Sequence, residues 1–143
     1  MLNDCDLNML QRSKMVERIK ISSGTKWEPI VGYSRVVKVD KIVHVSGTTS
    51  TDAEGNLVAI ADAQAQTTQV LLNIKRALES VGGTLEDVVR TRIYVTDISK
   101  WEEIGKVHGK FFKEIRPATS MIEVKRLVDP RMLVEIEAEA ILK

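Results

Sequence analysis

The chain has 143 residues, a length that fits one domain able to bury its own hydrophobic core. Its 21 basic and 20 acidic side chains give a net charge of +1, which disfavours a nucleic-acid-binding protein. No run approaches the roughly 20 apolar residues that a membrane-spanning helix needs. Cys5 is the only cysteine, so no intrachain disulfide can form.

The first residues lack the apolar core of a secretory signal, and a cytoplasmic location is expected. Residues 1–15 are predicted to be an N-terminal extension. Two alternatives are open: residues 1–14 are frayed, or Met15 is the natural start. Residues 16–143 are predicted to form a single domain. Within it, alternating apolar residues predict a strand over 16–21.

The next two apolar runs, 33–39 and 42–46, flank Asp40-Lys41 and predict a β-hairpin. Residues 47–56 are polar and predict a loop. A helix is predicted over 62–81, because apolar and small residues recur there at the 3.6-residue period. Asp62 is placed to cap the start of this helix, and Gly82 and Gly83 to end it. Thr84 is placed to cap a single turn over 85–87.

Residues 88–96 alternate and predict a strand with Val89, Thr91, Ile93 and Val95 on the core face. Ser99 and Glu102 have the spacing of a capping box, which predicts a helix from there to about Ile115. Its predicted apolar stripe contains Ile104, His108, Phe111, Phe112 and Ile115. Pro117 is placed to end it. Two further strands are predicted over 120–127 and 132–142.

The polar faces of two predicted strands carry opposite charges. Arg90 and Arg92 share one face, and Glu135, Glu137 and Glu139 share another. If the strands are neighbours, each cross-strand pair contributes about 0.2–1 kcal/mol. The alternatives are an ordinary solvent surface and a subunit interface. The element order predicts an α+β fold with both helices on one face of the sheet.

This element order and several short runs resemble the RidA/YjgF family of reactive-intermediate deaminases, over roughly Val16 to Leu142. The runs that carry the resemblance are Gly32-Tyr33-Ser34, Val45-Ser46-Gly47, the 64–78 helix, the 89–97 strand, Pro117-Ala118-Thr119-Ser120, Arg126-Leu127 and Val134-Glu135-Ile136-Glu137-Ala138.

The resemblance implies a chorismate mutase-like α+β fold with a six-stranded mixed sheet and two helices packed on one face. It also implies a homotrimer whose intersubunit clefts bind small carboxylate-bearing metabolites. The activity implied is the hydrolytic deamination of enamine and imine intermediates (2-imino acids), without a cofactor. Family members have also been described as ribonucleases and translation inhibitors, a reading that the near-neutral charge disfavours. The His and Cys residues lack metal-ligand spacing, so no metal site is predicted.

The resemblance also implies site residues, with one departure. Deaminating members have an arginine after the Pro-Ala dipeptide, where its planar fork holds the substrate carboxylate. Thr119 stands at that position here and offers only a hydroxyl. Three other arginines are near this position in the sequence and are alternative anchors, reaching the cleft from another direction: Arg116, Arg126 and Arg131. An asparagine of the family is matched by Gly105.

Glu135 matches the family glutamate that positions water or the imine nitrogen, a task suited to a general base. Tyr33, Ser46, Gly47, Thr119 and Ser120 match positions that bind substrate. Four of these residues have a structural alternative: Glu135 as a member of a charged strand face, Tyr33 as a packed tyrosine, and Ser46-Gly47 as a strand-end turn.

His44 shares the strand face of Ser46, although an ordinary strand histidine is the preferred reading. His108 is predicted to be a satisfied core histidine. Trp27 and Trp101 are predicted to be core or interface aromatics. Two function classes therefore stay open: an enamine or imine hydrolase with an altered carboxylate anchor, and a non-catalytic or differently catalytic trimer that binds small ligands.

Overall fold

The computed structural model describes residues 16–143, so the predicted N-terminal extension lies outside the described residues. Two single 3₁₀ turns, Leu85–Asp87 and Ile98–Lys100, connect longer elements. The strands and helices, in chain order, are β1 (Arg18–Ile21), α1 (Trp27–Val31), β2 (Val36–Val39), β3 (Ile42–Thr48), α2 (Ala63–Glu79), β4 (Val88–Val95), α3 (Trp101–Phe112), β5 (Ala118–Glu123) and β6 (Val134–Ile141).

The strands form one six-stranded sheet in the order β1-β2-β3-β6-β4-β5. All neighbours are antiparallel except β4 and β5, which are parallel and are joined by α3 as a crossover. The predicted hairpin at Asp40-Lys41 joins β2 and β3, with Asp40 in the left-handed region at φ 54°. The α+β fold with a six-stranded mixed sheet is confirmed.

One face of the sheet is buried under α2 and α3. Asp62 begins α2 as predicted, because its side chain accepts a hydrogen bond from the Ala65 N–H at 2.9 Å. The α2 stripe includes Leu71 and Ile74, which are both 0% exposed and pack into the same core as Ile136 of β6. Burying each such side chain stabilises the fold by about 1.5–3 kcal/mol. This core fixes the helix side of the sheet and leaves the opposite face open in the single chain.

The open face carries the charged residues of β4 and β6. Arg92 Nη1 lies 2.7 Å from Glu139 Oε1 and 3.5 Å from Glu137 Oε2. The Tyr94 hydroxyl donates to Glu137 Oε1 at 3.1 Å. Since β4 and β6 are neighbours, the predicted cross-strand Arg–Glu pairing is confirmed.

The predicted core face of β4 was wrong at one residue. Val89 is 43% exposed and Val88 is 3% exposed, whereas Val89 was expected inside. The register between β4 and β6 shifts between Val88 and Arg90, so the strict alternation begins only after this irregularity.

The predicted capping box at Ser99 was also wrong. Asp97 caps the 3₁₀ turn instead, accepting from the Ser99 N–H at 3.0 Å, and α3 begins at Trp101 without a side-chain cap. The α3 helix ends at Phe112, three residues earlier than expected, and β5 begins earlier than expected, at Ala118. Trp101 is 59% exposed and is therefore not a core residue of the single chain.

Candidate functional site

A β-bulge shapes the end of β3. Val45 pairs with Ala138, and Thr48 pairs with Ile136. Between these two pairs β3 advances by three residues, whereas β6 advances by only two. The extra residue falls at Ser46-Gly47. Bulges of this kind bend a strand and redirect its side chains, and they are common next to active sites.

Glu135 of β6 lies directly against this bulge. A Cβ atom built on Gly47 would lie 2.1 Å from Glu135 Oε1 and 3.0 Å from its Cδ. Only glycine therefore leaves room for the Glu135 carboxyl in its observed position. Gly47 therefore has a role beyond that of a strand-end turn, because its missing side chain makes room for the Glu135 carboxyl.

The surroundings of the Glu135 carboxyl shift its pKa upwards. Burial raises its pKa above the usual value, the nearby charge of Glu137 raises it further, and Arg35 opposes both. Among residues 16–143, no group donates a hydrogen bond to this carboxyl that would lower its pKa. A carboxyl with a raised pKa and free lone pairs is suited to exchanging a proton with a ligand or a water molecule.

Arg35, which lies between Tyr33 and β2, is the site residue that the sequence analysis missed. Its Nη1 donates to three acceptors around the bulge: the Gly47 carbonyl at 2.7 Å, the Thr48 hydroxyl at 3.0 Å and the Ser46 carbonyl at 3.2 Å. Its Nη2 makes a longer contact of 3.4 Å to the Tyr33 hydroxyl. The signal was present in the alternation, because Tyr33, Arg35 and Val37 share one face opposite the buried Val36.

The hydroxyl of Ser46 is already engaged. It donates to the Ser34 carbonyl at 2.7 Å, and the Ser46 N–H donates to the Arg35 carbonyl at 3.0 Å. Ser46 therefore holds the segment 34–35 against β3. Its oxygen can still accept a hydrogen bond from a ligand.

A second carboxylate, on α1, is buried behind the 22–25 loop. Glu28 is 5% exposed and accepts hydrogen bonds from the Ser23 N–H at 2.9 Å, the Ser23 hydroxyl at 2.5 Å and the Ser22 hydroxyl. Burial alone would raise the pKa of Glu28, but these hydrogen bonds and the charge of Arg35 bring it below the usual value. Glu28 is thus a satisfied anion that fixes the 22–28 loop.

Arg35, Ser46, Gly47 and Glu135 line one cleft of about 850 Å³, together with Ser22 and Ser23, which Glu28 holds from behind. The cleft is lined by residues of the 22–25 loop, of the β3 bulge and by the glutamates of β6. Three of the predicted substrate-binding positions, Tyr33, Ser46 and Gly47, line it with Glu135, and His44 lies in the same wall.

The other two predicted positions lie elsewhere in the single chain. Thr119 and Ser120 are on β5, in register with Thr91 and Arg92 of β4. Adjacent strand residues point to opposite faces, so Thr119 faces the helix side and Ser120 the open side. Thr119 and Glu135 can therefore share a cleft only if two copies of the chain meet.

Thr119 belongs to a short hydrogen-bonded chain. Its hydroxyl lies 2.8 Å from the hydroxyl of Thr91, which lies 3.0 Å from His108 Nε2. The His108 ring packs on Phe112 with ring centroids 4.6 Å apart, and its burial lowers its pKa. His108 is thus hydrogen-bonded to Thr91, but it is a half-buried residue at the edge of the core and not the core histidine that was predicted.

The alternative arginine anchors do not line the cleft of this chain. Arg131 is engaged by Asp129, with Nη2 2.7 Å from the carboxylate, while Arg116 and Arg126 are exposed.

Within residues 16–143, no helix is long and apolar enough to cross a bilayer.

Comparison with known proteins identifies the family. The model of the family described as endoribonuclease L-PSP matches residues 24–142. The 3-aminoacrylate deaminase RutC of Acinetobacter baylyi is 37% identical over 126 residues, which cover 88% of this chain and 98% of that protein. A RutC family protein of Pyrococcus abyssi is 35% identical over 79% of this chain and 88% of its own length.

A solved structure agrees with these matches. The crystal structure of a YjgF/YER057c/UK114 family member from Mycobacterium tuberculosis superposes with a TM-score of 0.81 at 50% identity, covering 88% of this chain and 100% of that one. The family model spans most of the chain, and the relatives are matched over most of their own length. The chain therefore belongs to the RidA/YjgF family, as its sequence motifs predicted.

Proposed function

We propose that the protein hydrolyses small reactive enamine and imine acids, releasing ammonia. The observation that carries this proposal is the half-buried Glu135 carboxyl, which lies against Gly47 in a cleft with Tyr33 and Ser46. A relative that covers most of this chain is named a 3-aminoacrylate deaminase, which supports the same reaction class.

The chemistry balances without a cofactor. For 2-aminoacrylate, a proton added to C3 and one lost from nitrogen convert the enamine to the isomeric 2-imino acid. Water then adds to C2 and ammonia leaves, so that the enamine and one water give pyruvate and ammonia. Glu135 accepts the proton of the attacking water and returns it to the departing nitrogen. The raised pKa of Glu135 brings its proton exchange closer to neutral pH.

The working form that we propose is a cytoplasmic homotrimer with clefts between its subunits. Thr119 and Glu135 lie on opposite sides of one sheet, so the family position of Thr119 can reach Glu135 only from a neighbouring copy. A trimer that persists in dilute solution by sedimentation velocity supports this arrangement. A monomer would remove the intersubunit cleft and with it this part of the proposal.

The activity test uses 2-aminoacrylate generated in situ by a dehydratase, with wild type beside Thr119→Arg. Wild-type acceleration of pyruvate release over the spontaneous rate supports the deaminase. Acceleration only by the arginine variant means that the scaffold is competent but the natural ligand is different. If neither protein accelerates the reaction, the second function class applies, a small-ligand-binding trimer, which the loss of the arginine at Thr119 favours.

A further inference from the structure

We infer that Arg35 is the carboxylate anchor of the cleft, in place of the arginine that Thr119 replaces. This inference rests on the proposed function, because it names the residue that orients the acid group of the same substrate. It also defines the ligand class as small acids whose carboxylate is bonded directly to the reacting carbon.

The first argument is the set of donors that Arg35 leaves free. A guanidinium has five N–H donors in a planar fork. Nη1 uses its donors on the acceptors of the β3 bulge, at 2.7–3.2 Å. Among residues 16–143, the only hydrogen bond from Nε or Nη2 is the 3.4 Å one to the Tyr33 hydroxyl, and the guanidinium carbon lies 5.6 Å from the centre of the Tyr33 ring. The Nε–Nη2 edge is the edge that binds a carboxylate with two parallel hydrogen bonds.

The second argument is the position of Arg35 relative to Glu135. Arg35 Nη1 lies 2.7 Å from the Gly47 carbonyl, and Glu135 Oε1 would lie 2.1 Å from a Cβ on the same residue. Both groups therefore lie next to Gly47. In a 2-imino acid the carboxylate carbon is bonded to the carbon that water attacks, so the anchor and the base must lie this near each other.

The third argument is charge. Glu135, Glu137 and Glu139 all line the cleft and would repel an anionic ligand. Arg92 is already paired with Glu137 and Glu139. Within the described part of the chain, no carboxylate forms an ion pair with Arg35, although its charge acts at longer range on Glu28 and Glu135. The place of a bound carboxylate beside Arg35 is therefore not taken by a side chain of this chain. A guanidinium held in place by the backbone pays little conformational entropy when the ligand binds.

The binding test is an NMR titration of the ¹⁵N-labelled protein with pyruvate, the reaction product, and with pyruvamide, its neutral analogue. We expect pyruvate to bind at least tenfold more tightly than pyruvamide. Arg35→Met should weaken pyruvate binding about 10- to 100-fold, as expected for the loss of charge-assisted hydrogen bonds. Arg35→Lys keeps the positive charge but lacks the planar fork, so its affinity for pyruvate should lie between those of wild type and Arg35→Met. Arg18→Met, a matched change on β1 outside the cleft, should bind within twofold of wild type.

A second readout requires no variant. In wild-type protein, pyruvate should shift the Nε–H signal of Arg35, assigned through its own chain connectivities. A shift confined to another arginine overturns the inference, even if Arg35→Met does not fold. Equal binding of pyruvate by a folded Arg35→Met, or equal binding of pyruvamide and pyruvate by wild type, also overturns it.

The kinetic assay separates this inference from the proposed function. If wild type binds pyruvate through Arg35 but does not accelerate 2-aminoacrylate hydrolysis, the anchor is right and the deaminase proposal fails. If wild type accelerates hydrolysis and a folded Arg35→Met has the same kcat/KM, the deaminase proposal is supported and the anchor is wrong.

Discussion

Replacing Gly47 by alanine tests the site most directly. The new Cβ would lie 2.1 Å from Glu135 Oε1, whereas non-bonded contacts are normally about 3.5 Å. The carboxyl must therefore move by about 1 Å or more. Because the clash is with the end of a flexible, half-buried side chain, we expect the stability cost to be no more than about 1–3 kcal/mol.

The effect on catalysis should be larger than the effect on stability. A displacement of about 1 Å at a catalytic group can reduce the rate by ~100-fold. We therefore expect Gly47→Ala to lower kcat/KM for 2-aminoacrylate hydrolysis by roughly that factor while a thermal melt still shows a cooperative fold. Gly109→Ala on α3 is the matched control, since a Cβ there meets nothing within 4 Å. It should leave the rate unchanged and stabilise the helix by about 0.5–1 kcal/mol.

A double-mutant cycle identifies the cause. If the damage arises from the contact with Glu135, Gly47→Ala should cost almost nothing further in stability when Glu135 is already alanine. A folded Gly47→Ala with kcat/KM within twofold of wild type would refute the reasoning, because Glu135 would then not be needed where the structure has it.

Three further outcomes are expected. Burial raises the pKa of Glu135, so the folded protein binds this proton more tightly than the unfolded chain does and loses stability as pH rises through the raised value. The melting temperature of Glu135→Gln, measured relative to that of wild type, should therefore increase from pH 4 to pH 8. A difference that stays constant over this range would contradict the reasoning. Asp62→Ala removes the cap on the Ala65 N–H and should cost about 1 kcal/mol by urea denaturation, whereas no loss would mean that the cap is idle. Thr91→Val removes the buried partner of His108 and should cost about 1–3 kcal/mol, and an unchanged urea midpoint would show that the hydroxyl is dispensable.

The sequence predicted the elements whose pattern repeats over many residues. The α2 stripe and the alternation of β6 extend over several turns or residue pairs, so single exceptions do not obscure them. Local features were harder to predict. Val89 points outwards because the register between β4 and β6 shifts there. Asp97, and not Ser99, is the residue that caps the turn before α3, because its side chain accepts from the Ser99 N–H. Short helix α1 has only 5 residues, too few to show a period.

The candidate site was predicted in part, for a physical reason. Glu135 and Gly47 are far apart in the chain, and only the β3 bulge brings them into contact. The sequence motifs could identify each residue separately, but they could not show that the Glu135 carboxyl leaves no room for a side chain at position 47. Arg35 alternates with Tyr33 on one strand face, and this is the one signal of its place that the sequence carries. Its hydrogen bonds to the β3 bulge depend on the fold, so the sequence pattern cannot show them.

The place of β6 in the sheet bears on how the protein is made. Among the six strands it is the last in the chain, yet it lies between β3 and β4 near the centre of the sheet. During synthesis the hairpin of β2 and β3 can form early, but the two halves of the sheet cannot join until β6 has left the ribosome. Until then β3 and β4 each keep an unpaired edge, and such edges favour aggregation. Glu135 arrives with this strand, so the cleft is completed only in the final step of sheet formation.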